Sequence, residues 1–152
     1  MSSYLVVAHR TLVEDHLLDH ARSLCDRARD QGGEPCRFHL VVPVTHPRDH
    51  AWSDGEVEAA ARKRLDEGLA AFRAAATDAD VDGEIGDANP VYAVASALRT
   101  SAAQGIRWDG IVVSTLPPGV SRWLGLDAVS RIRREFDLPV THLVARRVAA
   151  GA

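Results

Sequence analysis

Apolar and polar positions follow two rhythms along this chain, and the rhythms take turns. Tyr4 to Ala8 (YLVVA) is a short continuous apolar run, the pattern of a strand covered on both faces. Over residues 14–30 the apolar positions Leu17, Leu18, Ala21, Leu24, Cys25 and Ala28 recur at helical spacing, which predicts an amphipathic helix. Thr11, three residues before Glu14, predicts a capping box that opens this helix, and Gly32 and Gly33 predict its end. Phe38 to Val44 (FHLVVPV) predicts a second buried strand, with Pro43 near its end, where a lost backbone donor matters least. Ser53 and Glu56 form another capping box, ahead of Val57, Ala61, Leu65, Gly68 and Phe72 at helical spacing.

The second half repeats the alternation. Asp82 to Gly86 (DGEIG) is short and polar, and its assignment as a strand leans on the clear helix that follows. Asn89 as N-cap and Pro90 at the first helical position open that helix, which carries Val91, Val94, Ala95, Leu98 and Ala102 and stops at Gly105. Gly110 to Ser114 (GIVVS) predicts the fourth strand. A helix from about Ala128 to Phe136 leads through Pro139 to the last strand, Val140 to Ala145. No repeat, low-complexity tract or linker divides the chain, so residues 1–152 are expected to form one domain. Strands alternating with helices imply a parallel sheet between helix layers, doubly wound by right-handed crossovers. This is a three-layer, Rossmann-like α/β architecture with helices on both faces.

Composition narrows the functions available. A net charge of −3 supplies no basic field to recruit nucleic acid or an anionic membrane. No apolar stretch reaches the roughly 18–20 residues that span a bilayer, and the start MSSYLVVAHR lacks a basic n-region. A cytoplasmic location is the simplest expectation. Cys25 and Cys36 are too few and too oddly spaced for a disulfide framework or a zinc site, and Cys25 reads as a small core residue. Lys63 is the single lysine among 18 basic residues. Arginine is thus the default cation, and no one arginine stands out on identity alone.

In a doubly wound sheet, ligands sit beyond the carboxyl ends of the strands, where the strand order reverses. Here that edge is built from Ala8, His9, Arg10 and Thr11, from Thr45 and His46, from Gly86 and Asp87, and from Ser114 onward. With those residues placed, the chain resembles the universal stress protein family over nearly its whole length. The resemblance rests on GDANPVYAVASAL, then WDGIVVST, a loop and helix, then LPVTHLV. It implies an open sheet of strand order 3-2-1-4-5 and frequent dimerisation, in a family where some members bind ATP and others do not.

The chain departs from the ATP-binding pattern of that family at the residues that define it. Nucleotide-binding members carry an acidic residue after the first strand, where this chain has His9-Arg10. They carry a loop of the form G-x2-G-x9-G-[ST], whose backbone donors and hydroxyl hold phosphates. Here Gly119 and Gly125 are the loop's only glycines and their spacing does not fit; Asp127-Ala128 stands at the closing pair. Pro117 and Pro118 also remove two backbone donors. Asp127, directly before the last helix, is expected to cap it and fill the anion position from within.

The candidate ligand site therefore comprises Ala8, His9, Arg10, Gly86, Ser114, Thr115, Gly119, Ser121 and Arg122. An ordinary strand-to-helix connection is the competing reading of the last five. His16 and His20 are spaced i, i+4, but beside Asp15 and Asp19 they read as a solvated helix face rather than a metal site. No metal site is expected. No nucleophile elbow, Walker loop or G-x-G-x-x-G is present, so no catalytic residue is assigned. The last strand, with Val140, Thr141, His142, Leu143, Val144 and Ala145, has no acidic residue, lysine or arginine before Arg146 and is expected to be a dimer edge.

The leading expectation is a non-catalytic homodimer with weak or no standard ATP binding. Its ligand would be a small anion or a nucleotide, with ATP or AMP as candidates and no cofactor required; nucleic acid and membrane are not expected partners. The alternatives are an ATP- or AMP-binding switch with an altered phosphate loop and, less favoured, a small enzyme acting on an anionic metabolite through His9, Arg10 and Arg122.

Overall fold

The computed structural model describes residues 1–45, 51, 53–115 and 126–145. Five strands, β1 (Ser2–Val7), β2 (Cys36–Pro43), β3 (Asp80–Gly86), β4 (Gly110–Thr115) and β5 (Val140–Val144), alternate with four helices. The helices are α1 (Asp15–Gly32), α2 (Asp54–Ala75), α3 (Pro90–Ala103) and α4 (Leu126–Glu135). All strand pairs are parallel, in the order β3-β2-β1-β4-β5. The strand order reverses between β1 and β4.

Two apolar layers hold the helices to the sheet. On one face, Leu17, Ala21 and Leu24 of α1 and Ala61, Leu65 and Phe72 of α2 pack on Val6, Phe38, Leu40 and Val42. On the other, Val91, Val94 and Ala97 of α3 and Val129 and Ile132 of α4 cover Leu5, Val7, Val41, Ile111 and Val113. The central strands β1 and β4 contribute to both layers, which is why their sequences are continuous apolar runs.

Local signals set most helix ends. Ser53 Oγ accepts from the amide of Glu56 at 3.2 Å, and Glu56 returns a carboxylate oxygen to the amide of Ser53 at 3.4 Å. Asn89 Oδ1 accepts from the amide of Val91, with Pro90 behind it. Gly33, at φ 72°, closes α1 by donating its amide to the Arg29 carbonyl.

The start of α1 differs from expectation. Glu14 itself is the N-cap, with no side-chain cap bond, and α1 begins at Asp15. Thr11 does not form the expected capping box because its hydroxyl is bonded instead to Ser114, on the neighbouring strand. Helix α4 begins at Leu126, so Asp127 stands within its first turn rather than directly before it. The side chain of Asp127 lies outside the described residues.

Candidate functional site

At the switch point the carboxyl ends of β1 and β4 lie side by side, with Val7 opposite Val113. The chain leaves β1 through Ala8, His9 and Arg10, turns at Thr11, and enters α1. This turn carries Thr11 toward the end of β4. Thr11 Oγ1 and Ser114 Oγ are 2.6 Å apart, and His16 Nε2, from the first turn of α1, lies 3.0 Å from the same Ser114 oxygen. Thr11 and Ser114 are 2% and 1% exposed. Three residues gathered at the carboxyl ends of two neighbouring strands thus form one hydroxyl–imidazole clasp, with both hydroxyls buried.

Around it the polar groups are also paired. Thr115 Oγ1 lies 2.7 Å from His142 Nε2 on β5, and Thr45 Oγ1 lies 3.3 Å from His9 Nε2. Burial, reinforced by the nearby Arg64 and Arg10, holds the His9 ring down to about 4. Burial also lowers the pKa of His16 and of His142, the latter with help from Arg133. All three rings are therefore neutral at pH 7. A neutral imidazole and a shared hydroxyl can orient a polar group by hydrogen bonding, but they supply no positive charge to a phosphate. The cation on this segment is Arg10, which is exposed.

The expected solvated face of His16 and His20 is not what forms. Both rings are half-buried, and burial lowers both pKa values. His16 turns inward because Ser114 offers a buried partner. Its Ser–His spacing has the look of a nucleophile and base, but a hydroxyl 1% exposed and shared with Thr11 is not available for attack. Among the described residues, no group of three or more His, Cys, Asp or Glu is placed to hold a metal ion.

The sheet order brings together Ala8, His9, Arg10, Ser114 and Thr115 from the candidate list. Gly86 is not among them. It ends β3, three strand spacings from Ser114, or about 14 Å across the sheet. A Cβ on Gly86 would fall 2.7 Å from Ala93 Cβ, so this glycine makes room for α3. Gly119, Ser121 and Arg122 lie outside the described residues.

Two features escaped the sequence reading. The first is the partnership of Thr11 and His16 with Ser114, whose signal was the adjacency of β1 and β4 that the strand order demands. The second is at the opposite end of the sheet. Cys25 on α1 and Cys36 at the start of β2 share one small cavity, although neither spacing nor motif links them.

The same chain path is found in known proteins. A universal stress protein family member from Burkholderia pseudomallei superposes with a TM-score of 0.57, at 17% identity, over 93% of this chain and 95% of that one. The fold is that of the universal stress proteins. An Arabidopsis thaliana protein of this family, solved with AMP bound, matches at TM-score 0.51 and 13% identity over 96% of this chain and 93% of its own. A hypothetical protein matches at TM-score 0.57 and 11% identity over 97% and 98%. No family model and no curated protein matches the sequence. Among the described residues, no helix is long and apolar enough to cross a membrane.

Proposed function

We propose that this chain is a divergent universal stress protein: a non-catalytic, cytoplasmic α/β domain that acts as a homodimer and holds adenine nucleotides weakly or not at all. The observation that carries this reading is the clasp. Thr11, Ser114 and His16 use their polar atoms on one another at the switch point, where a ligand of such a fold would seek them. His9-Arg10 follows β1 in place of the acidic residue that the family resemblance associates with nucleotide binding. Asp127, in the first turn of α4, stands where the ATP-binding pattern of the family has glycine.

The test is a thermal-shift panel of ATP, AMP, ADP and inorganic phosphate, followed by calorimetry. A ligand at a hundredfold excess over its Kd stabilises by about 2.7 kcal/mol, which such a panel detects easily. The expected result is no nucleotide with a micromolar Kd. Replacing Asp127→Gly together with Ala128→Ser should then raise affinity. Micromolar ATP or AMP binding by the unaltered chain, abolished by Ser114→Ala, would overturn the reading. It would favour instead a nucleotide-binding switch, the alternative that the AMP-bound Arabidopsis neighbour recommends.

A further inference from the structure

Cys25 and Cys36 meet where the buried side of α1 crosses the amino end of β2. They line one cavity of about 190 Å³ with Arg29, Glu34 and Asp78 among its walls. Cys36 belongs to the apolar core on this face of the sheet, and Cys25 packs against that same core. Cys25 is half-buried and Cys36 is 1% exposed, so the cavity gives one sulfur a route to solvent while the other waits behind it. Arg29 and Asp78, joined by an ion pair, stand at the same cavity.

We propose that Cys25 and Cys36 are an oxidisable dithiol that closes an intramolecular disulfide on exposure to a small-molecule disulfide such as glutathione disulfide. Thiols on two packed elements that line one small cavity need only short movements to bond. Cys25, the more accessible of the two, acts first. Its thiolate attacks one sulfur of the oxidant, breaks that S–S bond and expels a thiolate, leaving a mixed disulfide on Cys25. Cys36 then gives its proton to solvent and attacks the Cys25 sulfur, expelling the second thiolate. Two protein thiols are oxidised to one disulfide, and the oxidant is reduced to two small thiols that take up the two protons.

The surroundings set the order and the pH dependence. Burial raises the Cys25 thiol pKa most; Asp26 and Asp78 add to this, while the neighbouring Cys36 thiol and Arg29 oppose it. Burial, then the Cys25 sulfur and Asp109, push Cys36 up to about 12 against the pull of the N-terminal ammonium. Cys36 is therefore a resolving thiol and not a first attacker. The site lies at the amino end of the sheet, opposite the Thr11–Ser114–His16 clasp, and is independent of any nucleotide binding there.

The experiment incubates the full chain in glutathione redox buffers, traps free thiols by alkylation, and maps peptides without reduction. The expected product is a Cys25–Cys36 cross-link, lighter by two hydrogens, formed at a rate independent of protein concentration and reversed by dithiothreitol. That rate should rise about tenfold per pH unit near neutrality, with the thiolate fraction. Cys36→Ser should halt at a glutathione adduct on Cys25. Should that variant fail to fold, Cys25→Ser carries the test, because Cys36 alone should then resist modification. Persistence of both thiols in fully oxidising buffer, accumulation of the mixed disulfide in the unaltered chain, or a cross-link between chains would each overturn the proposal.

Discussion

Along β3, Asp80, Asp82 and Glu84 alternate with Val81, Gly83 and Ile85, whereas β5 runs Val140-Thr141-His142-Leu143-Val144 with no carboxylate, lysine or arginine. Both strands are edges of the same sheet, and an edge leaves backbone donors and acceptors facing outward. On β3 the molecule answers from its own resources. The Val81 carbonyl, which points away from β2, accepts from Arg73 of α2 at 2.9 Å. The three carboxylates line the sheet face on the side of α3, where Asp80 faces Arg37 at 3.5 Å. There Asp82 and Glu84 take hold of His39 of β2 from either side, at 2.7 and 2.8 Å. An edge so charged repels a second copy of itself. On β5 nothing comparable is built among the described residues: Val144 is 44% exposed, and the strand is rich in β-branched side chains. The difference separates an edge answered within the chain from one that the proposed dimer would pair with its own copy.

The backbone register makes this separable. The Ala145 amide donates to the Thr115 carbonyl, and the Pro139 carbonyl accepts from Ile111. Residues 139 and 145 therefore face β4, and by the two-residue period of a strand Val140, His142 and Val144 turn their amides outward. Val144→Pro removes an outward donor without touching a bond to β4, a position where an edge strand tolerates proline. The dimer should lose affinity by about 100-fold or more, equivalent to about 2.7 kcal/mol, while the monomer keeps its helical circular dichroism. Sedimentation velocity checks it. Unchanged association by this variant, or a monomeric parent chain, would remove the contrast between the edges.

A smaller effect is expected from packing under β3. Gly83 lies against α2 so closely that a Cβ would fall 2.7 Å from both the Leu40 carbonyl oxygen and Leu65 Cδ1. Leu65 can shift, but the carbonyl belongs to the neighbouring strand and cannot. Gly83→Ala should cost about 2 kcal/mol, the usual scale of overpacking, with an unchanged urea m-value. If the variant is as stable as its parent, β3 is less firmly docked than this close approach requires.

These same residues explain what the sequence could and could not convey. Strands β1, β2 and β4 were legible because burial on both faces leaves a continuous apolar run, and the helices because caps and periodicity agree. The resemblance supplied the strand order, and with it the meeting of His9, Arg10, Ser114 and Thr115 at one end. Strand β3 was faint because Gly83 answers to Leu40 and Leu65, and its acids to Arg37 and His39, all of them distant in sequence. Thr11 gave a local capping signal that a nonlocal partner, Ser114, overrode. Cys25 and Cys36 became a pair only when α1 folded back on β2.

The smallest expected effect is the pH dependence of the His39 staple. Burial alone would lower the His39 pKa, but the hydrogen bonds and charges of Asp82 and Glu84 override it and push the ring up to about 9, from an ordinary 6.5. Asp82 is held below the usual carboxylate range, first by its hydrogen bond from His39. A histidine raised in the folded state stabilises fully below its unfolded pKa and ceases to do so as pH climbs through the folded one. A carboxylate lowered in the folded state stabilises above its unfolded value and stops as pH falls. The staple is therefore strongest between about pH 4 and 6.5 and fades toward pH 9 and beyond. With the Asp82 side chain 65% exposed, solvent screening limits its worth to about 1 kcal/mol. His39→Gln keeps a side chain that can hydrogen-bond and removes the charge. Urea unfolding of parent and variant across pH 5 to 10 should show a gap of about 1 kcal/mol at pH 6 that closes by pH 10. A gap that stays constant with pH would mean that His39 holds β3 by shape and neutral hydrogen bonds rather than by its charge.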